Sequence, residues 1–136
     1  MTALVLDAEP LSALAAGRGP RFREVYAALE AARRIQRDVV TPAVVLAELY
    51  RGPGRNPVVD ACLSRFSWVR VQDTDRDFAR FVGGVLAAAK DGSEMIADAH
   101  VVAAAVAHGG GVILTTDGDD IAQLSAPYLN IHVVSL

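Results

Sequence analysis

The sequence contains one cysteine and one lysine, and the scarcity of cysteine already excludes several kinds of protein. With Cys62 as the only cysteine, the chain can form neither an internal disulfide nor a zinc site built on several cysteines. The neighbouring Val58, Val59 and Leu63 favour a reduced, buried thiol, and a catalytic nucleophile is the alternative interpretation.

Long apolar runs are missing as well. No stretch approaches the roughly 18 uninterrupted apolar residues of a membrane-spanning helix. The start, MTALVLDAEP, lacks the basic segment and the longer apolar stretch of a secretory signal. We therefore expect a cytoplasmic protein. Because 52% of its 136 residues are hydrophobic, the chain can bury one core, and we expect a single domain over residues 1–136.

The chain also lacks the excess of positive charge that would indicate a nucleic-acid binder, since its net charge is -3. The charge is unevenly spread: residues 18–80 hold 12 arginines and 8 acids, whereas residues 81–136 hold one lysine and 6 acids. The arginine-rich stretch is either a solvated face or a basic surface beside an acidic pocket. The second arrangement would suit a phosphate polymer that is handled with a metal ion.

Short apolar or β-branched runs alternate with helical patterns along the chain. Strands are predicted at residues 3–6, 38–40, 68–71, 112–115 and 131–134. Helices are predicted between them, among others at residues 21–36, 57–66 and 95–108. Continuous apolar strands that alternate with helices indicate a parallel sheet covered on both faces, so the predicted fold class is α/β.

Two helix starts carry recognisable signals. Thr41 followed by Pro42 is typical of an N-cap and a first turn, and Gly52-Pro53 should end that helix about three turns later. The segment TDRD at 74–77 has capping-box spacing, which predicts another helix start.

Four carboxylates occur in unusual surroundings. Asp98 has Val101 and Val102 at the i+3 and i+4 positions of an apolar helical pattern, and Glu48 lies in a similar apolar segment. Asp7 and Asp117 follow the first and fourth predicted strands, where open α/β sheets hold their ligands. A buried, unpaired carboxylate costs several kcal/mol, so it must be protonated, paired or bound to a cation.

Each of these acids also has an ordinary explanation. Asp7 and Asp117 may be read as helix caps, Glu48 could pair with Arg51, and Asp98 could meet an arginine from elsewhere in the chain. Together, however, four carboxylates in one cleft would repel each other unless a divalent cation held them ionised. Hard oxygen ligands without cysteine or paired histidine favour Mg²⁺ or Mn²⁺.

Four segments, LVLDA, PAVVLAELYRG, IADAHVVAAA and ILTTDGDDI, together resemble the PIN-domain family of metal-dependent ribonucleases in order and spacing. The subgroup they resemble most is the small VapC-type toxins of bacterial toxin-antitoxin pairs. The resemblance implies a PIN-like three-layer fold with a central five-stranded parallel sheet flanked by helices.

The resemblance also implies a set of site residues. It assigns catalysis and the binding of Mg²⁺ or Mn²⁺ to four acids, which are Asp7, Glu48, Asp98 and Asp117. Thr115 corresponds to a hydroxyl that organises the acids, and Asp119 has a supporting place, since it and Asp120 should cap or flank the next helix. Glu9 departs from the pattern, because many relatives have Ser or Thr at that place.

The function that the resemblance implies is a metal-dependent endoribonuclease in which a metal-activated water attacks RNA. It further implies a homodimer and an inhibitory antitoxin partner, and it alone favours RNA over DNA. Arg51 or Arg55 could grip phosphates, although a solvated role is equally compatible with the sequence.

Two rival interpretations stay open. The first is an aspartate-phosphorylated receiver-like or phosphatase-like domain, because Asp7 follows strand one and Asp73 follows strand three. The second is a catalytically inactive PIN-like module that only binds RNA or protein. Two further residues are predicted to serve packing: His100, about 200° around the helix from Asp98, and Trp68.

Overall fold

A computed structural model describes residues 2–136, and the strands within that range lie where the apolar runs predict them. Each predicted strand is confirmed, with its ends shifted by no more than a residue or two. The strands are β1 (Ala3–Leu6), β2 (Asp38–Pro42), β3 (Val69–Gln72), β4 (Gly111–Thr115) and β5 (Ile131–Ser135).

Helices connect these strands and confirm the predicted α/β class. Most are amphipathic, but α6 is apolar on nearly all sides. The helices are α1 (Ala8–Ala16), α2 (Pro20–Arg34), α3 (Ala43–Leu49), α4 (Asn56–Arg65), α5 (Arg76–Ala89), α6 (Ile96–Ala107) and α7 (Gly118–Ser125), with a short 3-10 helix at Ser93–Met95. Within residues 2–136, no helix combines the length and the apolar character needed to cross a membrane.

The strands form one sheet in the order β3-β2-β1-β4-β5, and each neighbouring pair is parallel. All carboxyl ends therefore meet at one edge, and β1 and β4 are neighbours there, with Leu6 paired to Leu114. A receiver domain has the order 2-1-3-4-5. The observed order therefore excludes the receiver interpretation.

Two helical layers cover the sheet. α6 buries every residue from Ala99 to Ala105 and packs against β1, β2 and β4, with α5 and α7 beside it. A helix that is apolar on nearly all sides is stable only when it is enclosed in this way. In the other layer, α1 packs against both α2 and α4. The arrangement is the three-layer fold that the resemblance implies.

The start of β4 depends on Gly111. Its φ angle is +140°, and a Cβ atom placed there would lie 1.9 Å from the carbonyl oxygen of Ala3. Only glycine allows the backbones of β4 and β1 to approach so closely in this conformation. Gly111 thereby sets the register that brings the carboxyl ends of β1 and β4 together.

Both predicted N-caps are wrong. Thr41 belongs to β2, where its buried hydroxyl donates a hydrogen bond to the carbonyl oxygen of Leu6 at 3.1 Å. Pairing of β2 with β3 extends through Thr41, so α3 begins only at Ala43, and it ends at Leu49, earlier than predicted.

At the start of α5 the cap is Asp75 rather than Thr74. The Asp75 carboxylate accepts a hydrogen bond from the backbone N–H of Phe78 at 2.8 Å. Aspartate is at least as favourable as threonine at an N-cap, so the helix begins one residue later than the capping-box pattern predicts.

Candidate metal centre

The carboxyl ends of β1 and β4 place Asp7 close to the segment that carries Asp117. One Asp7 oxygen, Oδ1, accepts the backbone N–H of Ala8 at 2.8 Å and so caps α1. The other, Oδ2, accepts the hydroxyl of Thr115 at 2.7 Å. The capping explanation for Asp7 is therefore correct, but it accounts for only one of the two carboxylate oxygens.

Thr115 links the two acids at the strand ends. Its side chain is fully buried, and its hydroxyl donates to Asp7 while accepting the backbone N–H of Asp117 at 2.9 Å. Because a hydroxyl has one donor and two acceptor positions, it can serve both groups at once. This bridge fixes the Asp7 carboxylate relative to the backbone of Asp117.

Two helix starts bring further carboxylates to the same place. Asp98 lies in the first turn of α6, and Asp120 lies in the first turn of α7. One carboxylate oxygen from each of Asp98, Asp117 and Asp120 lies within 4.8 Å of the other two. Asp117 occupies the N-cap position of α7 but accepts no capping hydrogen bond, so its carboxylate is available to this group.

Asp120 is a member of this group that the sequence-based predictions do not include. The resemblance gives Asp120 only a capping or flanking role at α7, and it gives a supporting place in the site to Asp119 instead. Asp120 follows Asp117 by three residues, about one helical turn, so both point to the same side, whereas Asp119 is exposed and is not part of the group of three. The i, i+3 spacing was a signal that could have identified Asp120.

Glu48 reaches the acidic edge from α3, although it is exposed rather than enclosed by its apolar segment. Partial burial raises the pKa of Glu48 above its usual value, and the nearby carboxylate of Asp7 raises it further. The positive charge of Arg51 opposes this rise, but the Arg51 guanidinium donates to the carbonyls of Ala47 and Tyr50, both at 2.7 Å. The expected Glu48–Arg51 ion pair does not form among the described residues.

The strongest electrostatic perturbation is at Asp98. Burial, followed by the negative charges of Asp117, Asp7 and Asp120, raises the pKa of Asp98 to about 7. Throughout residues 2–136, no arginine, lysine or histidine lies within 4.0 Å of these carboxylates, so the alternative in which an arginine pairs with Asp98 is wrong. The protein itself leaves this negative charge without a counter-ion.

The donor set fits a small divalent cation. Mg²⁺ binds oxygen ligands at about 2.0–2.1 Å, so two ligands on opposite sides of one ion are about 4.2 Å apart. The oxygens of Asp98, Asp117 and Asp120 all lie within 4.8 Å of one another. Since three ligands of one ion cannot all be opposite each other, binding would bring neighbouring oxygens to about 2.9 Å. The ligands are hard carboxylate oxygens, which suit Mg²⁺ or Mn²⁺ better than softer metals.

The histidine and tryptophan that were predicted to serve packing do so. His100 is buried, its Nδ1 lies 2.7 Å from the carbonyl oxygen of Ile96, and its ring packs near Phe78. Trp68 packs against the core with its ring edge toward Phe66. His100 is therefore not available to the acidic group on the opposite side of α6.

Helices cover both faces of a parallel sheet, and a cluster of carboxylates lies at the carboxyl edge of that sheet. These two features define an α/β protein with a candidate site for a divalent cation. Comparison with protein families makes this assignment specific, because the PIN domain matches residues 4–126. The chain belongs to the PIN domain family, whose members are generally metal-dependent nucleases. The curated proteins include no significant match to the chain.

Proposed function

We propose that this protein is an Mg²⁺- or Mn²⁺-dependent endoribonuclease and that it acts as the toxin of a toxin-antitoxin pair. The observation that carries the proposal is the group of carboxylates within 4.8 Å of one another that no basic side chain of the described residues neutralises. The proposed catalytic and metal-binding residues are Asp7, Glu48, Asp98 and Asp117, to which the geometry adds Asp120.

A bound Mg²⁺ or Mn²⁺ would supply a Lewis acid that lowers the pKa of a water molecule near a phosphodiester. Asp98, Asp117 and Asp120 would hold the ion, because their oxygens already converge. Thr115 keeps the carboxylate of Asp7 oriented through its 2.7 Å hydrogen bond. Glu48 extends the acidic surface on the α3 side of Asp7.

Cleavage of single-stranded RNA with Mg²⁺, with Mn²⁺ or with EDTA tests the nuclease proposal. We expect cleavage only with a metal ion, and a loss of activity of about 100-fold or more in Asp98→Asn and Asp117→Asn, since each removes a charged ligand. Asp119→Asn is the matched control, because it removes one exposed acid outside the cluster. Cleavage that survives EDTA, or equal rates in all variants, would refute the proposal. An inactive PIN-like module would bind RNA without cutting it.

An antitoxin partner is supported by two surfaces. The acidic cluster can accept a basic side chain in place of a metal ion. The end of α1 that is farther from Asp7 leaves, together with α4, a largely apolar cavity of about 350 Å³. It is lined by Leu14, Ala15, Gly17, Pro57, exposed Val58, Ala61, Cys62 and Phe66, together with Arg65. An amphipathic segment could fill this cavity and direct an arginine or lysine to the acids.

Co-expression with the neighbouring open reading frame tests the toxin role. We expect the chain alone to arrest growth, and we expect the product of the neighbouring frame to co-purify with it and to restore growth. Replacing the antitoxin's basic residue should weaken inhibition by about 2 kcal/mol or more, mainly through faster dissociation. If the neighbour neither binds nor protects, the toxin role is refuted, and the nuclease proposal remains to be judged by the cleavage assay.

A homodimer is also proposed, and α5 offers a surface for it. Phe81 is 46% exposed there and lines an apolar cavity of about 530 Å³ together with Gly84, Val106 and Tyr128. Burying such a patch is the usual reason for a second copy to bind. Sedimentation of the wild type should give a dimer, and Phe81→Glu should give a monomer; a monomeric wild type would exclude the dimer.

A further inference from the structure

The edge of the sheet opposite the acidic cluster carries positive charge. At the amino ends of β2 and β3, an open cavity of about 410 Å³ is lined by three arginines, and Asp38 and Trp68 also line it. Arg33 comes from the last turn of α2, Arg37 from the turn before β2, and Arg70 from β3. Three separate parts of the chain therefore converge to make one cationic cavity.

Most hydrogen-bond donors of these arginines are unused within residues 2–136. Arg37 donates from Nε to the hydroxyl of Thr2 at 3.2 Å. The side chain of Arg70 is 69% exposed, and its closest acidic oxygen, on Asp38, is 3.8 Å away, beyond hydrogen-bonding distance. The side chain of Arg33 donates no hydrogen bond to any of the described residues. Since each guanidinium has five N–H donors, the cavity presents an excess of donors and of positive charge.

The position of Arg33 is held without consuming its donors. The centre of its guanidinium lies 5.1 Å from the centroid of the Trp68 ring, a cation–π contact. Trp68 is itself packed edge-on against buried Phe66, with ring centroids 6.4 Å apart. Because the Trp68 ring already holds the Arg33 side chain in place, Arg33 loses less side-chain entropy when an anion binds.

Asp38 does not cancel this charge. It is the only acid among the residues that line the cavity, against three arginines. One oxygen of Asp38, Oδ2, lies 3.8 Å from Arg70 and 3.9 Å from Nδ1 of His108. The cavity is therefore a local positive site in a protein whose net charge is -3.

We propose that this arginine cavity, lined by Arg33, Arg37 and Arg70, binds backbone phosphates of a single-stranded RNA. Guanidinium groups form paired, charge-assisted hydrogen bonds with phosphate oxygens. The choice of RNA as the polymer rests on the proposed nuclease function. The phosphate chemistry itself rests on the three converging arginines.

The location favours a polymer over a small phosphate. Strands of four or five residues separate the two edges of the sheet by about 15 Å, a distance that a bound strand of RNA spans within several nucleotides. The acidic cluster repels RNA when no metal ion is present, so positive charge on the opposite edge retains the polymer while one segment reaches the acids. The site thus makes binding depend on RNA length.

Binding measured by fluorescence anisotropy in EDTA tests this proposal without metal-dependent cleavage. The probe is a labelled single-stranded RNA of about 12 nucleotides, long enough to cover both edges. The test variant combines Arg33→Gln, Arg37→Gln and Arg70→Gln. The matched control combines Arg21→Gln, Arg23→Gln and Arg76→Gln, three exposed arginines outside the cavity, and changes the net charge equally.

We expect the test variant to lose about tenfold or more in affinity. The slope of log affinity against log salt should fall by about 2, since each lost phosphate contact on a single strand removes about 0.7. The control should change affinity by less than about threefold. Equal losses in both variants, or no loss in the test variant, would overturn the proposal. If the triple variant fails to fold, Arg70→Gln alone should still reduce the slope by about 0.7, because its side chain is largely in solvent.

Two further measurements distinguish a small phosphate ligand from RNA, and the arginine cavity from the proposed nuclease function. If a free mononucleotide raises the melting temperature of the wild type but not of the test variant, while RNA affinity is the same in both, the cavity is a small-molecule site and the proposal fails. With Mn²⁺, the test variant should cut the long RNA more slowly and cut a dinucleotide at the wild-type rate. Loss of RNA binding in a protein that cuts no RNA would support the arginine cavity and refute the nuclease function.

Discussion

Among single side chains, Asp98 has the most altered pKa, because it lies on a buried helix and its neighbours are negatively charged. An ordinary aspartate is ionised well below neutral pH, whereas the pKa of Asp98 is raised to about 7. Without a metal ion, the folded protein therefore keeps a proton on Asp98 that the unfolded chain releases. This difference links stability to pH and to metal binding.

Asp98→Asn should change how stability depends on pH. Between about pH 4 and pH 7 the folded state binds more protons at this site than the unfolded state, so its contribution to the free energy of unfolding falls as pH rises. It is fully present below pH 4 and is lost as pH passes 7. Urea unfolding in EDTA should therefore show the variant gaining stability relative to wild type between about pH 5 and pH 8.

Saturating Mn²⁺ should make the wild type more stable than Asp98→Asn, because the ion stabilises the ionised carboxylate that only the wild type has. If the difference in the free energy of unfolding between Asp98→Asn and wild type in EDTA were the same at about pH 5 and about pH 8, Asp98 would have an ordinary pKa.

Thr115 is the side chain whose hydroxyl positions Asp7 and the backbone of Asp117. Thr115→Val should destabilise the fold by about 1–3 kcal/mol, since the N–H of Asp117 loses a buried acceptor. Metal-dependent cleavage should fall about 10- to 100-fold, because the Asp7 carboxylate loses its orientation.

Thr115→Ser is the matched control, since it keeps the hydroxyl and removes one methyl group. It should restore most of the activity, although it costs about 1 kcal/mol of stability. If the serine and valine variants were equally impaired, shape rather than hydrogen bonding would explain the effect.

Among the strands and helices, the pairing of β4 with β1 determines where the acids meet. β4 begins at Gly111 in a conformation that only glycine adopts easily, and its end carries Thr115. α6 and α7 then start at the same edge, each with an acid in its first turn. The acidic cluster is therefore a property of the junctions between elements rather than of any one helix.

Gly111→Ala should disturb this junction, and Gly109→Ala provides the control. Both glycines have positive φ angles, but a Cβ at Gly109 meets open space, whereas one at Gly111 lies 1.9 Å from the Ala3 carbonyl oxygen. Gly109→Ala should cost about 1 kcal/mol from the left-handed conformation alone. Gly111→Ala should cost about 3 kcal/mol or more in urea unfolding. Equal costs would mean that the close approach of β4 and β1 is not important.

Across the whole molecule, charge is separated between the two edges of the sheet. The carboxyl edge holds the acidic cluster, and the amino edge holds the arginine cavity. The uneven charge along the sequence, with every arginine within residues 18–80 and six acids against one lysine in residues 81–136, indicated such a separation without placing either group. In the folded protein, the difference in charge between two parts of the sequence becomes a difference in charge between two edges of the sheet about 15 Å apart.

Local patterns made the fold and several acids predictable. A buried parallel strand is a continuous apolar run, so each strand was visible in the sequence, and Asp98 stood out because a carboxylate in an apolar helix is costly. The resemblance added the order of the acids and a supporting place for Thr115, whose hydroxyl is hydrogen-bonded to Asp7 and to the backbone of Asp117.

Other features depend on distant partners, which a sequence does not display. Thr41 has the sequence pattern of an N-cap, but it lies in a strand because β3 pairs alongside β2. Glu48 lies in an apolar segment of the sequence, but it is exposed because α3 is only about two turns long and lies at the surface. Asp120 joins the site only because α7 starts next to α6. The arginine cavity likewise combines α2 with β3, which lie far apart in the chain.

Whether the acidic cluster binds a divalent cation can be measured by titrating the protein with Mn²⁺ and following the electron paramagnetic resonance signal. Free Mn²⁺ gives a strong signal that decreases on binding, so wild type, Asp120→Asn and Asp119→Asn can be titrated side by side. We expect wild type and Asp119→Asn to bind Mn²⁺ equally and Asp120→Asn to bind it about tenfold more weakly or worse, because Asp120, unlike Asp119, contributes an oxygen to the cluster. Absence of Mn²⁺ binding by the wild type, or equal binding by all three proteins, would contradict a divalent-cation site at the acidic cluster.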